Sequence, residues 1–252
     1  MNALVFDAHG RTLVDATGAP LQVTAIRDVP AFPLTTPGDT TLGGEPLVVQ
    51  RIANLERCVP DGVDKRMSRT DDPLAIYALA VLHHRESCRF DPLTGAPLEY
   101  SDHLVGTVSR KNDHERPVFP RIDPAVIGII TLRDSDRILV AQNAARPGYH
   151  SLIAGYVGLG ETFEDTMARE AWEETGRRIS DIRYLRSQPW PYSGSIMVGF
   201  SATTTDEYPV GELDGEVTDI RWATKTDVLS GAITLPGAGS LARSLIMEWV
   251  HS

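Results

Sequence analysis

The stretch Gly155–Gly176, GYVGLGETFEDTMAREAWEETG, limits what this chain can fold into more than any other. A glycine-rich turn leads into a short helix-forming run that carries Glu170, Glu173 and Glu174 and stops at Gly176. The glutamates stand at i, i+3 and i+4, so they share one helical face. Like charges at that spacing weaken an isolated helix by roughly 0.2–0.5 kcal/mol per pair. A helix that keeps all three together therefore implies something cationic to hold. Thr162, with Asp165 three residues on, predicts a capping box, and Gly176 suits the position just past the helix end. At about 100° per residue, Met167, Ala168, Ala171 and Thr175 fall in one apolar arc that faces a core. Glu170 and Glu174 lie at the margin of that arc and Glu173 further towards solvent, so packing holds the carboxylates while their oxygens stay in a cleft. Hard oxygen ligands favour Mg²⁺ or Mn²⁺, which keep waters and bridge to substrate phosphates. The competing reading of the same residues is a solvated acidic face partnered by Arg169, Arg177 and Arg178.

The chain around this stretch is acidic, with 24 basic and 34 acidic residues and a formal charge of −10. A general nucleic-acid binder would carry a basic stripe, and none is visible. A phosphate compound would have to be neutralised here by a few placed cations or a metal. No apolar run reaches the ~18 residues that span a bilayer, and MNALVFDAHG lacks a basic n-region and an apolar h-region. A cytoplasmic protein without a membrane partner is the expectation. Cys58 and Cys88 supply no disulfide framework and no metal ribbon by themselves.

At 252 residues the chain fits one large domain or two modest ones. Up to about residue 67, short apolar segments broken by Gly and Pro clusters predict a β-rich unit. Asp72 and Pro73 open a helix over 71–88, with His83 and His84 near its end. Residues 89–121 read as an irregular connector. Apolar runs at 125–133, 137–142 and 151–157 predict strands, the first apolar enough to be buried on both faces. Further strands are expected at 181–190, 195–204 and 216–224, and an amphipathic helix at 239–250. The plan is α+β: a β-rich N-terminal domain ending in a helix (1–88), a connector (89–121) and a mixed catalytic domain (122–252).

Gly155, Glu161, Arg169, Glu170, Glu173, Glu174 and Gly176 together resemble the signature of the Nudix hydrolases: glycine, five residues, Glu, seven residues, then Arg-Glu-x-x-Glu-Glu-x-Gly. Two positions depart from it. Ala171 is small where the family favours an aliphatic residue, and Arg177 replaces the closing apolar residue. Neither is a ligand position, so the expected effect is on packing. The resemblance implies the Nudix fold, a mixed β-sheet sandwiched between helices. It also implies Mg²⁺ or Mn²⁺ held by Glu170, Glu173, Glu174 and the Ala154 carbonyl, with Glu216, six residues before Trp222, as a further acidic ligand. Among Glu174, Glu170 and Glu173, it gives Glu174 first place in orienting or deprotonating water.

SQPWPYSGS at 187–195 resembles the SQPWPFPxS motif of the NADH pyrophosphatase subgroup, with Tyr192 for Phe and Ser193–Gly194 for Pro-x. As plain structure this is a proline-stiffened loop anchored by a buried Trp190. Rigid Pro–Trp–Pro geometry beside an aromatic ring also makes a wall for a flat base. The resemblance implies that Gln188, Pro189, Trp190, Pro191, Tyr192, Ser193, Gly194 and Ser195 border a dinucleotide, with Tyr156 as a second aromatic surface. Phe119, in VFPRIDPAVI, and Ala242, in SLAR, match further substrate positions, Phe119 at the interface of a homodimer. The implied activity is hydrolysis of the pyrophosphate of NADH or NAD⁺ into AMP and nicotinamide mononucleotide, extended in some members to the NAD cap of RNA. A Nudix enzyme acting on ADP-ribose or another nucleoside diphosphate derivative is the nearest alternative. A non-catalytic nucleotide sensor is the alternative of another class, and such a module would be expected to lose the metal carboxylates.

The subgroup usually carries two CxxC pairs upstream that bind a structural zinc. Here those positions are Asp91 and Thr94, then Lys111 and His114. Four thiolates are absent and these side chains cannot rebuild a tetrahedral thiolate site. The expectation is a degenerate zinc-ribbon-like connector without zinc, held by packing and hydrogen bonds, with Lys111 paired to Asp91.

Overall fold

The computed structural model describes residues 1–34, 47–58, 66–68, 71–100, 105–108 and 116–252. It divides into two compact units, Met1–Ile122 with Trp190–Gly194, and Asp123–Pro189 with Ser195–Ser252.

In the first unit, β1 (Asn2–Phe6), β2 (Thr12–Val14), β3 (Val23–Thr24), β4 (Ala31–Leu34), β5 (Leu47–Arg51) and β6 (Arg66–Ser68) form one sheet. Its order is β4-β5-β1-β2-β6, with β3 on β1. The alternation of strand side chains divides its residues between two cores. Leu4, Phe6, Leu47 and Val49 pack under helix α1 (Pro73–Ser87), against Ala75, Ala78, Leu79 and Leu82. Ala3, Val5 and Val48 join Leu13 and Leu55 on the other face. Asp72 caps α1 by accepting the Ala75 N–H at 3.0 Å, and Pro73 takes its first position. Farther on, β7 (Gly106–Val108) pairs antiparallel with β8 (Arg116–Val118).

The connector turn at 90–97 closes without thiols. Buried Asp91 accepts from the Thr94 hydroxyl at 2.6 Å and from the Leu93 N–H at 3.2 Å, and it forms an ion pair with Arg116. Backbone bonds from Gly95 N–H to the Asp91 carbonyl and from Asp91 N–H to the Ala96 carbonyl, both 2.8 Å, complete it. Arg116 thus holds the carboxylate for which Lys111 was expected; Lys111 and His114 lie outside the described residues.

The second unit is built on β9 (Asp123–Leu132), the strand read as buried on both faces. Its parallel neighbour along its full length is β13 (Ser195–Thr204). Its other edge is shared by two antiparallel partners, β10 (Arg137–Asn143) and β11 (Ile153–Tyr156). The sheet order is β12-β13-β9-β10-β14, where β12 is Ser180–Trp190 and β14 is Val217–Thr224. One face packs Val126, Ile130, Leu139 and Phe200 against Met167 and Ala171 of α2 (Phe163–Thr175). The opposite face packs Ile127, Ile129 and Val140 against Leu241, Leu245 and Ile246 of α4 (Leu241–His251), with Val228 of the short α3 (Lys225–Leu229). A mixed sheet between helices is therefore the architecture, and α+β the class. No helix among the described residues is long and apolar enough to cross a membrane.

Candidate active site

Strand β11 and helix α2 bring the signature residues together. Thr162 caps α2 by accepting the Asp165 N–H at 3.1 Å, and Gly176 ends it at φ 64°, a left-handed conformation that favours glycine. Met167, Ala171 and Thr175 are fully buried and fix the rotation of the helix, which places Glu170 and Glu174 at the edge of the core and leaves Glu173 half-buried. Gly155 of β11 lies directly beneath Glu170. A Cβ at position 155 would fall 1.9 Å from the Glu170 carboxylate, so only glycine lets the strand and the carboxylate come this close.

Arg169 is the hub of the cluster. Its Nε reaches Glu161 at 2.6 Å, its Nη1 reaches Glu170 at 2.8 Å and Glu173 at 2.9 Å, and its Nη2 donates to the Tyr156 carbonyl at 3.1 Å. Glu161 also accepts the Gly158 N–H at 2.8 Å and the Thr166 hydroxyl at 3.0 Å, which ties the glycine turn to the helix. Arg169, followed by the Gly158 N–H, holds the Glu161 carboxyl down at about 2. The acidic-face reading is therefore right for Arg169. It does not extend to the other arginines: Arg177 is buried and turned onto backbone carbonyls, and Arg178 lies over the Trp172 ring.

The balance of charge fails at Glu174. The ion pairs of Arg169 go to Glu161, Glu170 and Glu173. Burial, then the negative charges of Glu170, Glu216 and Asp214, push the Glu174 carboxyl up to about 8, opposed by the Ala154 backbone N–H. Burial also raises Glu170, against the pull of Arg169. The Ala154 backbone N–H lies beside the Glu174 carboxyl. Glu216 is exposed just before β14 and accepts from the Asn143 side chain at 3.5 Å. Asp214, two residues earlier, has no motif to announce it, yet it faces the same carboxylates and its backbone N–H donates to the Glu173 carbonyl at 3.0 Å. Only the fold reveals it, because the loop that carries it is irregular. A high local negative potential, all-oxygen donors and a glycine cradle suit a divalent cation. As placed, no three such side chains among the described residues are grouped to hold one ion; Glu170 leans onto Arg169.

The other expected site residues fall in two places. In the second unit, the Tyr156 and Ser195 hydroxyls meet at 3.1 Å, Tyr156 being exposed and Ser195 buried. Gln188 donates to the Gly239 carbonyl at 2.7 Å, and its Oε1 is buried without a partner among the described residues. Pro189 is exposed, and Ala242 sits in the apolar core under α4. In the first unit, the Trp190 and Tyr192 rings meet edge-on at 4.8 Å. Pro191 is buried and Trp190 only half-buried, so Pro191 and Tyr192 do the anchoring assigned to Trp190. Tyr192 packs on the core under α1, so close to Gly10 that a Cβ there would come within 2.7 Å of its ring. Pro191 and Tyr192 line a cavity of about 360 Å³ with His9, Arg51 and His83, to which no carboxylate of α2 contributes. Ser193 and Phe119 are exposed, and Gly194 lies against His83.

With this geometry in view, residues 123–244 match the NUDIX domain family. The chain carries a Nudix domain. Relatives extend the match beyond it. An NAD-capped RNA hydrolase NudC from Mycobacterium bovis is 37% identical over 201 residues, 75% of this chain and 63% of that protein. One from Escherichia coli is 38% identical over 136 residues, 52% of this chain and 49% of that protein. The chain thus spans less than two thirds of the length of these curated relatives. Among solved structures, a NUDIX hydrolase from Nitrosomonas europaea aligns at 19% identity and a TM-score of 0.45, covering 65% of this chain and 90% of that one.

Proposed function

We propose that this protein is a divalent-metal-dependent hydrolase that splits the pyrophosphate of NADH or NAD⁺ into AMP and nicotinamide mononucleotide. The observation that carries the reading is Glu174, a buried carboxylate beside Glu170, Glu216 and Asp214 that no arginine among the described residues pairs with. Glu170, Glu174 and Glu216, with Glu173 and Ala154 beside them, are the groups that would hold Mg²⁺ or Mn²⁺. Such an ion withdraws charge from the phosphoryl group and makes a bound water more acidic. Glu174 then serves as the base that orients or deprotonates the attacking water, and a bound cation restores its ionised form. Arg169 keeps Glu170 and Glu173 in place, and Gly155 leaves room for them. Gln188 and Tyr156, the latter braced by Ser195, supply polar and aromatic surface for the dinucleotide within the second unit, together with exposed Pro189.

The names of the relatives favour NAD-linked substrates over ADP-ribose and support the NAD cap of RNA as a second substrate of the same chemistry. Glu170, Glu173 and Glu174, the metal carboxylates of the signature, are all retained, which weighs against a sensor. A homodimer in the cytoplasm is the accompanying proposal, with exposed Phe119 at the interface. Structural zinc is not part of the reading: Asp91 is already matched to the cationic Arg116 and offers no thiolate set. The test is competition between NADH, NAD⁺, ADP-ribose and NAD-capped RNA by kcat/KM. A preference for ADP-ribose would replace the proposed substrate.

A further inference from the structure

Arg177 is one of the two positions where the signature of this chain departs from the Nudix pattern, and its side chain has a specific task. It is only 5% exposed. Its guanidinium donates through Nε to the Asp206 carbonyl at 3.1 Å, through Nη1 to the Thr175 carbonyl at 2.8 Å and through Nη2 to the Glu207 carbonyl at 2.9 Å. The Trp222 ring lies 5.5 Å from it, and the indole N–H of Trp222 donates to the same Glu207 carbonyl at 2.8 Å. One planar fork thereby joins the last carbonyl of α2 to the chain at 206–207, a geometry that neither lysine nor an aliphatic residue reproduces.

The chain at 206–207 matters because of where it leads. Residues 205–216 form an irregular strap between buried Thr204 and buried Val217, and no residue within it is buried. Lacking an apolar anchor, the strap is fastened by hydrogen bonds along α2. The Arg178 N–H donates to the Asp206 carboxylate at 3.0 Å. The Val210 and Gly211 N–H groups donate to the Gly176 carbonyl at 2.8 and 3.2 Å, and the Asp214 N–H to Glu173 at 3.0 Å. Gly211 is pressed onto Trp172 so closely that a Cβ would come within 2.4 Å of the ring. The strap ends in Asp214 and Glu216, the two carboxylates it sets beside Glu170 and Glu174.

We infer that Arg177 is a positioning residue: by clamping the start of the strap to the end of α2, it fixes where Asp214 and Glu216 stand and so tunes the affinity of the carboxylate site for its divalent cation. The inference rests on the proposed cation site and goes beyond it, because Arg177 touches neither cation nor substrate. An aliphatic residue in its place fills the volume but removes the side-chain donor to the Asp206 carbonyl and leaves Trp222 alone on the Glu207 carbonyl, and the strap loosens while α2 persists.

The experiment is Mn²⁺ binding to the substrate-free protein, read by electron paramagnetic resonance, for wild type, R177L, R177K, E216Q and the double variant R177L/E216Q. R177L is expected to weaken binding about tenfold and R177K about threefold, since lysine can satisfy only part of the fork. Added to E216Q, R177L should cost less than about a further twofold, because coupled residues are not additive. Faster amide hydrogen exchange at 206–216 should accompany the loss. Wild-type Mn²⁺ affinity in R177L and R177K, or a full R177L effect retained in the E216Q background, overturns the positioning role while leaving the cation site standing. Unchanged Mn²⁺ binding in E216Q itself takes Glu216 out of the ligand set, and the inference with it, while loss of binding in E174Q would still report the cation site.

Discussion

The connector turn at 90–97 and helix α2 each set carboxylates against an arginine, and they differ in charge balance. In the turn, one buried carboxylate, Asp91, meets one guanidinium, Arg116, together with a hydroxyl and a backbone N–H. The hydrogen bond from Arg116 then holds the Asp91 carboxyl well below the usual carboxylate range. In α2, one guanidinium, Arg169, serves Glu161, Glu170 and Glu173, and Glu174 rises to about 8. The first cluster is matched in charge, one carboxylate to one guanidinium. The second gathers more carboxylates than its arginine can match, a surplus that a proton on Glu174 or a bound cation can relieve. A carboxylate already matched is a structural clip, whereas one left over beside a glycine cradle is a candidate site.

The largest expected effect comes from breaking the open cluster at its centre. Glu174→Gln keeps the shape and removes the base, so NADH turnover should fall by about a thousandfold or more, with the circular dichroism spectrum and thermal midpoint retained. Wild-type turnover in this variant would move the chemistry elsewhere. Arg169→Met frees Glu161, Glu170 and Glu173 from their shared anchor. Its kcat/KM should drop roughly tenfold to a hundredfold, mostly in kcat, because misplaced ligands cost more than lost contacts.

The closed cluster should answer to different perturbations. Asp91→Asn removes the carboxylate while Arg116 stays, and the melting temperature should fall by roughly 5 °C. Exhaustive chelation should leave that temperature unchanged, and metal analysis should find no zinc in the purified chain; about one zinc ion per chain would end the account of this turn. A smaller effect separates the two clusters by pH. The folded pKa of Asp91 is depressed, so its contribution is present above its unfolded value of 3.8 and is lost as pH falls below it. The folded pKa of Glu174 is raised from 4.5 to about 8, so the metal-free protein binds an extra proton between those values and loses stability as pH rises through them. Thermal melts without metal should therefore decline from pH 5 to 8, and Glu174→Gln should flatten the decline. A rise over that range would contradict the charge surplus.

Much of this was legible in the sequence where local chemistry and tertiary structure agree. Thr162, Gly176 and the apolar arc of α2 specify a helix with its glutamates at the core margin, and the fold places them there. The apolar run at 125–133 indicates a strand buried on both faces, and β9 packs Val126 and Ile130 against α2 on one face and Ile127 and Ile129 against α4 on the other. The missing thiolates indicate a turn held otherwise, but only coordinates could choose Arg116, 25 residues from Asp91 in sequence, as its partner. Arg177 and Asp214 were out of reach for the same reason. Each acts through the irregular strap at 205–216, whose hydrogen bonds have no periodicity to read. The sequence expectation for Arg177, a small change in packing, understates a side chain that bridges three carbonyls.

The most direct measurement of the central claim is NADH hydrolysis as a function of Mg²⁺ and Mn²⁺ concentration, with the products identified by mass. The surplus of carboxylate around Glu174 predicts no turnover without a divalent cation, saturable activation with it, and AMP and reduced nicotinamide mononucleotide in equal amounts. Turnover in the presence of excess chelator, or release of free nicotinamide, would contradict it.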